Sequence, residues 1–325
     1  MQIIIKKKKK KYDFDITVTD NTYAGELSLP YVTAALLGAE TIANNRCRLI
    51  EGVQHKAVIS NLGVADPIVA AGCGFNDQAN TSLTESVVTL SDLRVNEEIC
   101  RGTIFPTFIA AQGSMNRDGD LPVEFTDFLL STVATKAGSH LESLIWTGAA
   151  PFGTGLLSDD GTIDEGGIDA SAMKDFIEAD LGTAFSANTI LGHLDTVFAA
   201  AAGVPGILQK PGVGFYVSYE AYAFFLQAQA AQNTGPGYNQ NLQGATYLGY
   251  PVYPTAGIPN DVDVVAFTYP ENIVVGTNNY TADISTQVIP VYQYDGSDNV
   301  RIAMRFGVGV NVAVPGDGVV GFNFT

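Results

Sequence analysis

The stretch 300–312 constrains the fold of this chain most strongly. Val300, Ile302, Met304, Phe306, Val308, Val310 and Val312 alternate with Arg301, Ala303, Arg305, Gly307, Gly309 and Asn311. Successive side chains of a strand point to opposite faces, so a strict period of two puts all seven apolar residues on one side of a β-strand. At about 3.3 Å per residue the strand spans ~43 Å. Residues 284–294 read as its hairpin partner across the turn Asp295-Gly296-Ser297-Asp298-Asn299. A helix of matching length is predicted at 121–147. Asp120 can cap it, Pro122 suits its first turn, and Gly148 stops it. Phe125, Phe128, Leu129, Val133, Ala137, Leu141, Leu144 and Ile145 form one apolar stripe. At 1.5 Å per residue the rod is about 40 Å long. A one-faced hairpin and a one-striped helix of equal length are natural partners, and together they make an elongated α+β slab.

The remaining segments attach to that slab. Residues 29–44 are expected to form a short helix, and residues 1–25 an arm. The region 53–103 reads as a long projecting hairpin, with strands at 55–62 and 87–99 and a polar connection at 63–86. An isolated two-stranded hairpin is marginal in water, so this one is expected to pack on a neighbouring subunit. Residues 149–170 form a glycine-rich acidic loop. A mixed α/β lobe of roughly 110 residues follows. It has helical stretches at 171–181 and 189–202, a strand at 214–218, a helix at 220–232, and strands at 250–255 and 262–268. A thin slab with projections buries little surface by itself, so it suits a tile in an assembly.

Composition narrows the function. Charged residues are 16% of the 325, against about 25% in an ordinary soluble domain. Little charge is available to coat a solvated surface, which favours surface that meets other protein. Net charge is −17 and unevenly spread. Six of the 17 basic residues are Lys6, Lys7, Lys8, Lys9, Lys10 and Lys11, which leaves 11 against 34 acidic residues, a balance of −23. The acidic body repels phosphate. The lysine run reads as a solvated arm, as a salt-sensitive and sequence-blind contact with nucleic acid, or as a contact with the acidic body of an adjacent subunit. Cys47, Cys73 and Cys100 form no CxxC pair, so neither zinc nor a disulfide framework is expected, and a reducing compartment fits. Cys100 reads as a small buried residue at a strand end. No signal peptide and no bilayer-spanning run is read, so no membrane association is expected.

Catalytic signatures are missing from the sequence. GxSxG, HExxH, Walker A and kinase motifs do not occur, and Gly153-Thr154-Gly155 lacks the lysine that would hold phosphate. His55, His140 and His193 fall in three different elements, with His140 read as a helix-face residue. Asp159, Asp160, Asp164 and Glu165 form either a solvated loop or an oxygen-rich calcium site without EF-hand spacing. No catalytic residue, metal ligand or cofactor is assigned.

The order of elements resembles the major capsid protein of tailed double-stranded DNA bacteriophages, the Hong Kong 97-type fold. Local wording resembles it too: Leu29-Pro30-Tyr31, the helix end Leu144-Ile145-Trp146-Thr147-Gly148, Gly214-Phe215-Tyr216-Val217-Ser218, and Tyr269-Pro270-Glu271-Asn272-Ile273. The resemblance implies an N-terminal arm and leading helix at 1–52 and an E-loop at 53–103. It implies a P-domain at 104–154 with spine helix 121–147, an A-domain at 155–265, and returning P-domain strands at 266–325. It further implies a structural, non-enzymatic protein of the virion, assembled in the bacterial host cytoplasm. Copies would form hexamers and pentamers of an icosahedral shell around double-stranded DNA, with a portal and scaffolding or decoration proteins as further partners. No lysine lies between Lys56 and Lys136, so no crosslink from the loop tip is expected. No long helical segment precedes residue 30, so a separate scaffold or prior trimming is expected. An encapsulin-type bacterial compartment shell is the alternative of the same fold, and an extracellular glycan-acting enzyme is the alternative of another class.

Overall fold

The structure, a computed structural model, describes residues 21–24, 35, 38–65, 80–100, 123–158, 171–232, 245–278, 285–291, 294, 296–297 and 299–323. In chain order the strands are β1 Asn21–Ala24, β2 Arg48–Ile50, β3 Lys56–Ala65, β4 Asn80–Thr89, β5 Ser91–Cys100, β6 Ile177–Asp180, β7 Gly214–Val217, β8 Thr246–Tyr247, β9 Tyr250–Pro254, β10 Val264–Thr268, β11 Ile273–Thr277, β12 Ser285–Pro290, β13 Asn299–Val312 and β14 Val319–Phe322. The helices are α1 Glu40–Ala43, α2 Val123–Thr147, α3 Ile190–Ala202 and α4 Tyr219–Gln232.

The long alternating strand organises the first sheet. β13 pairs antiparallel with β12 over 300–305 and with β11 over 308–312, while β5 lines its other edge from Ser91↔Val308 to Cys100↔Asn299. β1 extends the sheet beyond β12, and β2 runs parallel to β11. All seven alternating apolar residues of β13 are buried, and Arg301 and Arg305 on the opposite face are exposed. Each large side chain so buried contributes about 1.5–3 kcal/mol. The covering element is α2. Its Leu129, Leu130, Val133, Ala134, Leu141, Leu144, Ile145 and Trp146 share one core with Ile302, Met304, Phe306 and Val308. At 25 residues α2 is about 37 Å long, close to the strand it covers. Gly148 ends it at φ +65°, and a Cβ there would strike the backbone of the 153–158 turn.

The second sheet has the order β6-β14-β10-β7-β9-β8. β10 is buried at every position, as expected of a strand covered on both faces. Val264 and Ala266 point into the core shared with α2, whereas Val265 and Phe267 join Leu194, Val197 and Phe225 beneath α3 and α4. The lobe and slab are therefore joined through a continuous core.

Several expectations need correction. Residues 171–181 are not helical: a turn at 171–176 leads into β6, which pairs parallel with β14. That pairing also puts β14, expected among the strands returning to the slab, in the lobe sheet. The apolar run at 87–99 is two strands broken at Leu90. Its second part, β5, pairs with β13, and β4 pairs with β3 from Lys56↔Thr89 to Ala65↔Asn80. Strand therefore extends into both ends of the connection expected at 63–86. Phe128 is 42% exposed, on the rim of the α2 stripe. Cys100 is exposed, because it has the opposite parity to Leu93, Val95 and Ile99, which face α2. The arm contains a strand, β1. Within the helix expected at 29–44, Ala35 and Glu40–Ala43 are helical with a turn at 38–39 between them, and residues 29–34, 36 and 37 lie outside the described residues. Asp120 lies outside the described residues.

Candidate assembly surface

The β3–β4 hairpin is built to project. Its base crosses the outer face of the first sheet over a window without side chains. Gly276 and Gly309 are direct cross-strand partners. A Cβ on Gly309 would collide with the Thr89 carbonyl, one on Gly276 would sit 3.0 Å from Val88, and one on Gly307 would sit 3.3 Å from Leu90. Val88 fills this window with Val274 and Ala313, flanked by Ala57 and Ile59. Ser86 Oγ donates to the Val312 carbonyl at 2.5 Å, and Asn311 Nδ2 donates to the Val87 carbonyl at 2.8 Å. The Leu90 N–H closes on the His55 carbonyl at 3.0 Å.

The opposite face of the ribbon is apolar and open. Val58 lies across from Val87 and Leu62 across from Leu83. These four are 59%, 39%, 63% and 62% exposed. Ser60 and Glu85 form the pair between them and are exposed too. A two-stranded ribbon with large exposed aliphatic pairs is unstable alone and an aggregation hazard unless another surface covers it.

A polar joint locks the leading segment to α2 and the lobe. The Thr41 N–H and Oγ1 donate to the two oxygens of Glu142 at 2.9 and 2.6 Å, and Trp146 Nε1 donates to Thr41 Oγ1 at 3.0 Å. Burial raises the Glu142 carboxyl above its ordinary value, the two Thr41 hydrogen bonds pull it back, and the nearby Glu40 raises it further. Burial, reinforced by Glu142, also pushes the Cys47 thiol up to about 12, which disfavours its thiolate form. Glu40 accepts from Tyr219 Oη at 3.0 Å and from the Ala256 N–H at 3.2 Å. Arg46 lies 3.6 Å from Glu40, donates to the Pro254 carbonyl and stacks over Tyr253. Gly257 is packed so closely against Trp146 that no Cβ fits.

The residues read from sequence are not gathered into a reaction centre. His55 and His140 are exposed at separate places, and buried His193 faces Thr183 in the lobe. Among the described residues no three His, Cys, Asp or Glu side chains converge as metal ligands, and no helix is long and apolar enough to cross a membrane. Lys6, Lys7, Lys8, Lys9, Lys10 and Lys11 lie outside the described residues, as do Asp159, Asp160, Asp164 and Glu165. The joint was missed from sequence, although one signal was present. Glu142 interrupts an apolar stripe four residues before Trp146, the sole tryptophan.

No family model matches the sequence, and neither does any curated protein. Solved structures do match. The capsid of an empty GTA particle superposes with a TM-score of 0.54 at 12% identity, covering 89% of this chain and 90% of that one. The structure of Microbacterium phage Oxtober96 gives 0.52 at 15% identity, over 96% and 95%. This chain has the Hong Kong 97-type capsid fold. A virus-like particle from Pyrococcus furiosus matches at 0.50 and 11% identity, over 91% and 98%. Nearly end-to-end coverage in both directions means that the capsid fold takes in the slab and lobe together.

Proposed function

We propose that the chain is the major capsid protein of a tailed bacteriophage, forming hexamers and pentamers of an icosahedral head around double-stranded DNA. The carrying observation is the capsid fold combined with a projecting ribbon whose aliphatic face has no cover among the described residues. A monomer leaves that face wet, and a ring of copies buries it. In this reading β3–β4 is the E-loop, lying over a neighbour's P-domain. The slab of α2 and the first sheet is the P-domain, and the lobe is the A-domain, meeting its copies at the capsomer axis. Contacts of this kind close when each repeats about a rotation axis, and many modest ones sum through effective concentration. The protein acts structurally, within the virion, after assembly in the host cytoplasm. The portal and scaffolding or decoration proteins are its further partners. Lys6 to Lys11 neutralise packaged phosphate, since an acidic body does not.

Electron microscopy and nucleic-acid analysis of the purified full-length protein test this. The expected result is closed shells or capsomers, with DNA in particles from an infected host. A 34 kDa species that stays monomeric at high concentration overturns the reading. Shells that carry a protein cargo and no nucleic acid show a compartment instead.

A further inference from the structure

Arg94 and Arg305 are direct cross-strand partners on β5 and β13. Their neighbours Leu93 and Phe306 point into the α2 core, so the two arginines stand on the opposite face of the sheet. Like charges directly opposite are unfavourable. Neither arginine forms an ion pair among the described residues, although Arg301 on the same face pairs with Glu98 at 2.8 Å. Outside the lysine run the chain has 11 basic residues against 34 acidic ones. Two of those few are spent on an opposed pair that leaves acidic neighbours unused: Asp92 stands across from Gly307 and bridges to neither.

The pair forms one wall of a cleft of about 570 Å³, a volume ordinary for a small-ligand site. The other wall is the chain entering the hairpin, with exposed Gln54 and His55. That wall is fixed at both ends, because the Val53 N–H donates to the Thr277 carbonyl and the Leu90 N–H to the His55 carbonyl, each at 3.0 Å. Asn278 also lines the cleft, held by the Gly307 N–H, which donates to its Oδ1 at 2.7 Å. Two guanidinium groups, an imidazole and two amides against one carboxylate suit an anion. A carboxylate has two coplanar oxygens, which a single guanidinium fork satisfies. Two forks side by side suit a phosphate, with three strong acceptor oxygens and a charge of about −2.

We propose that the cleft between the hairpin base and strands β5 and β13 is a phosphate-binding site. Arg94 and Arg305 supply the two forks, and Gln54 and His55 are supporting donors. The ligand is a phosphate group, free or carried by nucleic acid. Bound there, it relieves the repulsion between the arginines and ties the hairpin base to the sheet. The site does not depend on the shell reading and is open to test on unassembled protein.

Isothermal titration of inorganic phosphate into full-length unassembled protein, at constant ionic strength, reads the site. Arg94→Gln and Arg305→Gln each weaken binding about tenfold, and together they abolish it. Arg301→Gln, which removes an arginine that already has a partner, leaves it unchanged. The lysine run is present in every one of these proteins, so the difference belongs to the cleft. Phosphate also raises the melting temperature of the wild type and not that of the double variant. If the double glutamine variant fails to fold, Arg94→Lys with Arg305→Lys keeps both charges, loses the forks and still weakens binding. Titration with a short DNA duplex then identifies the source. Duplex binding that needs both arginines and yields to phosphate marks nucleic acid, and duplex binding indifferent to them marks free phosphate. The proposal is overturned if wild-type protein takes up no phosphate, if the arginine variants bind it as well as the wild type, or if acetate binds as tightly as phosphate.

Discussion

Replacing Thr41 with valine tests the joint that ties the leading segment to α2. The change keeps side-chain shape and removes one oxygen. That oxygen donates to the buried Glu142 carboxylate at 2.6 Å and accepts from Trp146 Nε1 at 3.0 Å. A hydrogen bond to an ionised group contributes roughly 1.5–3 kcal/mol, and a buried donor left without a partner costs about 1–3 kcal/mol. The two effects overlap, so the expected loss is about 3–5 kcal/mol near neutral pH. The sign with pH follows from Glu142. Its carboxyl is raised in the folded state above the ordinary value near 4.5. Its contribution is therefore fully present below that value and declines as pH rises through the folded pKa. Valine removes a bond that favours the ionised form, so it raises the folded pKa further. The gap between wild type and variant is then smallest in acid, where Glu142 is protonated in both, and grows as pH rises. Denaturant unfolding of the unassembled protein, followed by the fluorescence of the sole tryptophan, reads both quantities. Taking the difference cancels the other carboxylates, which titrate alike in both proteins. A loss below ~1 kcal/mol, or one that is constant with pH, refutes the reasoning.

Gly309→Val drives a side chain into the Thr89 carbonyl and lifts the hairpin base; faster proteolytic cleavage within the β3 and β4 strands, with the lobe intact, is the expected result. Leu62→Ser with Leu83→Ser leaves thermal stability within about 0.5 kcal/mol because both residues are exposed, yet it reduces shell yield measured by sizing. Phe306→Ala opens a cavity beneath α2 and costs about 3–5 kcal/mol by denaturant titration. Replacing Lys6 to Lys11 with glutamine lowers DNA retention and flattens its salt dependence, read by release of DNA from particles across a salt series.

The elements legible in sequence are those with long one-dimensional patterns. The seven-fold alternation at 300–312 and the stripe of 121–147 gave nearly the observed boundaries, and helices at 189–202 and 220–232 were also found, because period and length together identify an element. Failures came where a segment's state depends on a distant strand. Ile177–Asp180 has no strong period of its own and becomes a strand by pairing with β14. The run at 87–99 reads as one strand, and only the crossing over Gly276 and Gly309 shows why it breaks at Leu90.

By itself the sequence determined the slab, the presence of a projection, the acidic body and the absence of a recognisable reaction motif, since each follows from local pattern or composition. Tertiary structure decided which face of the hairpin stays open and that Thr41, Glu142 and Trp146 meet. Those facts depend on strand register and on contacts across as many as 226 residues of chain, and no local period encodes them.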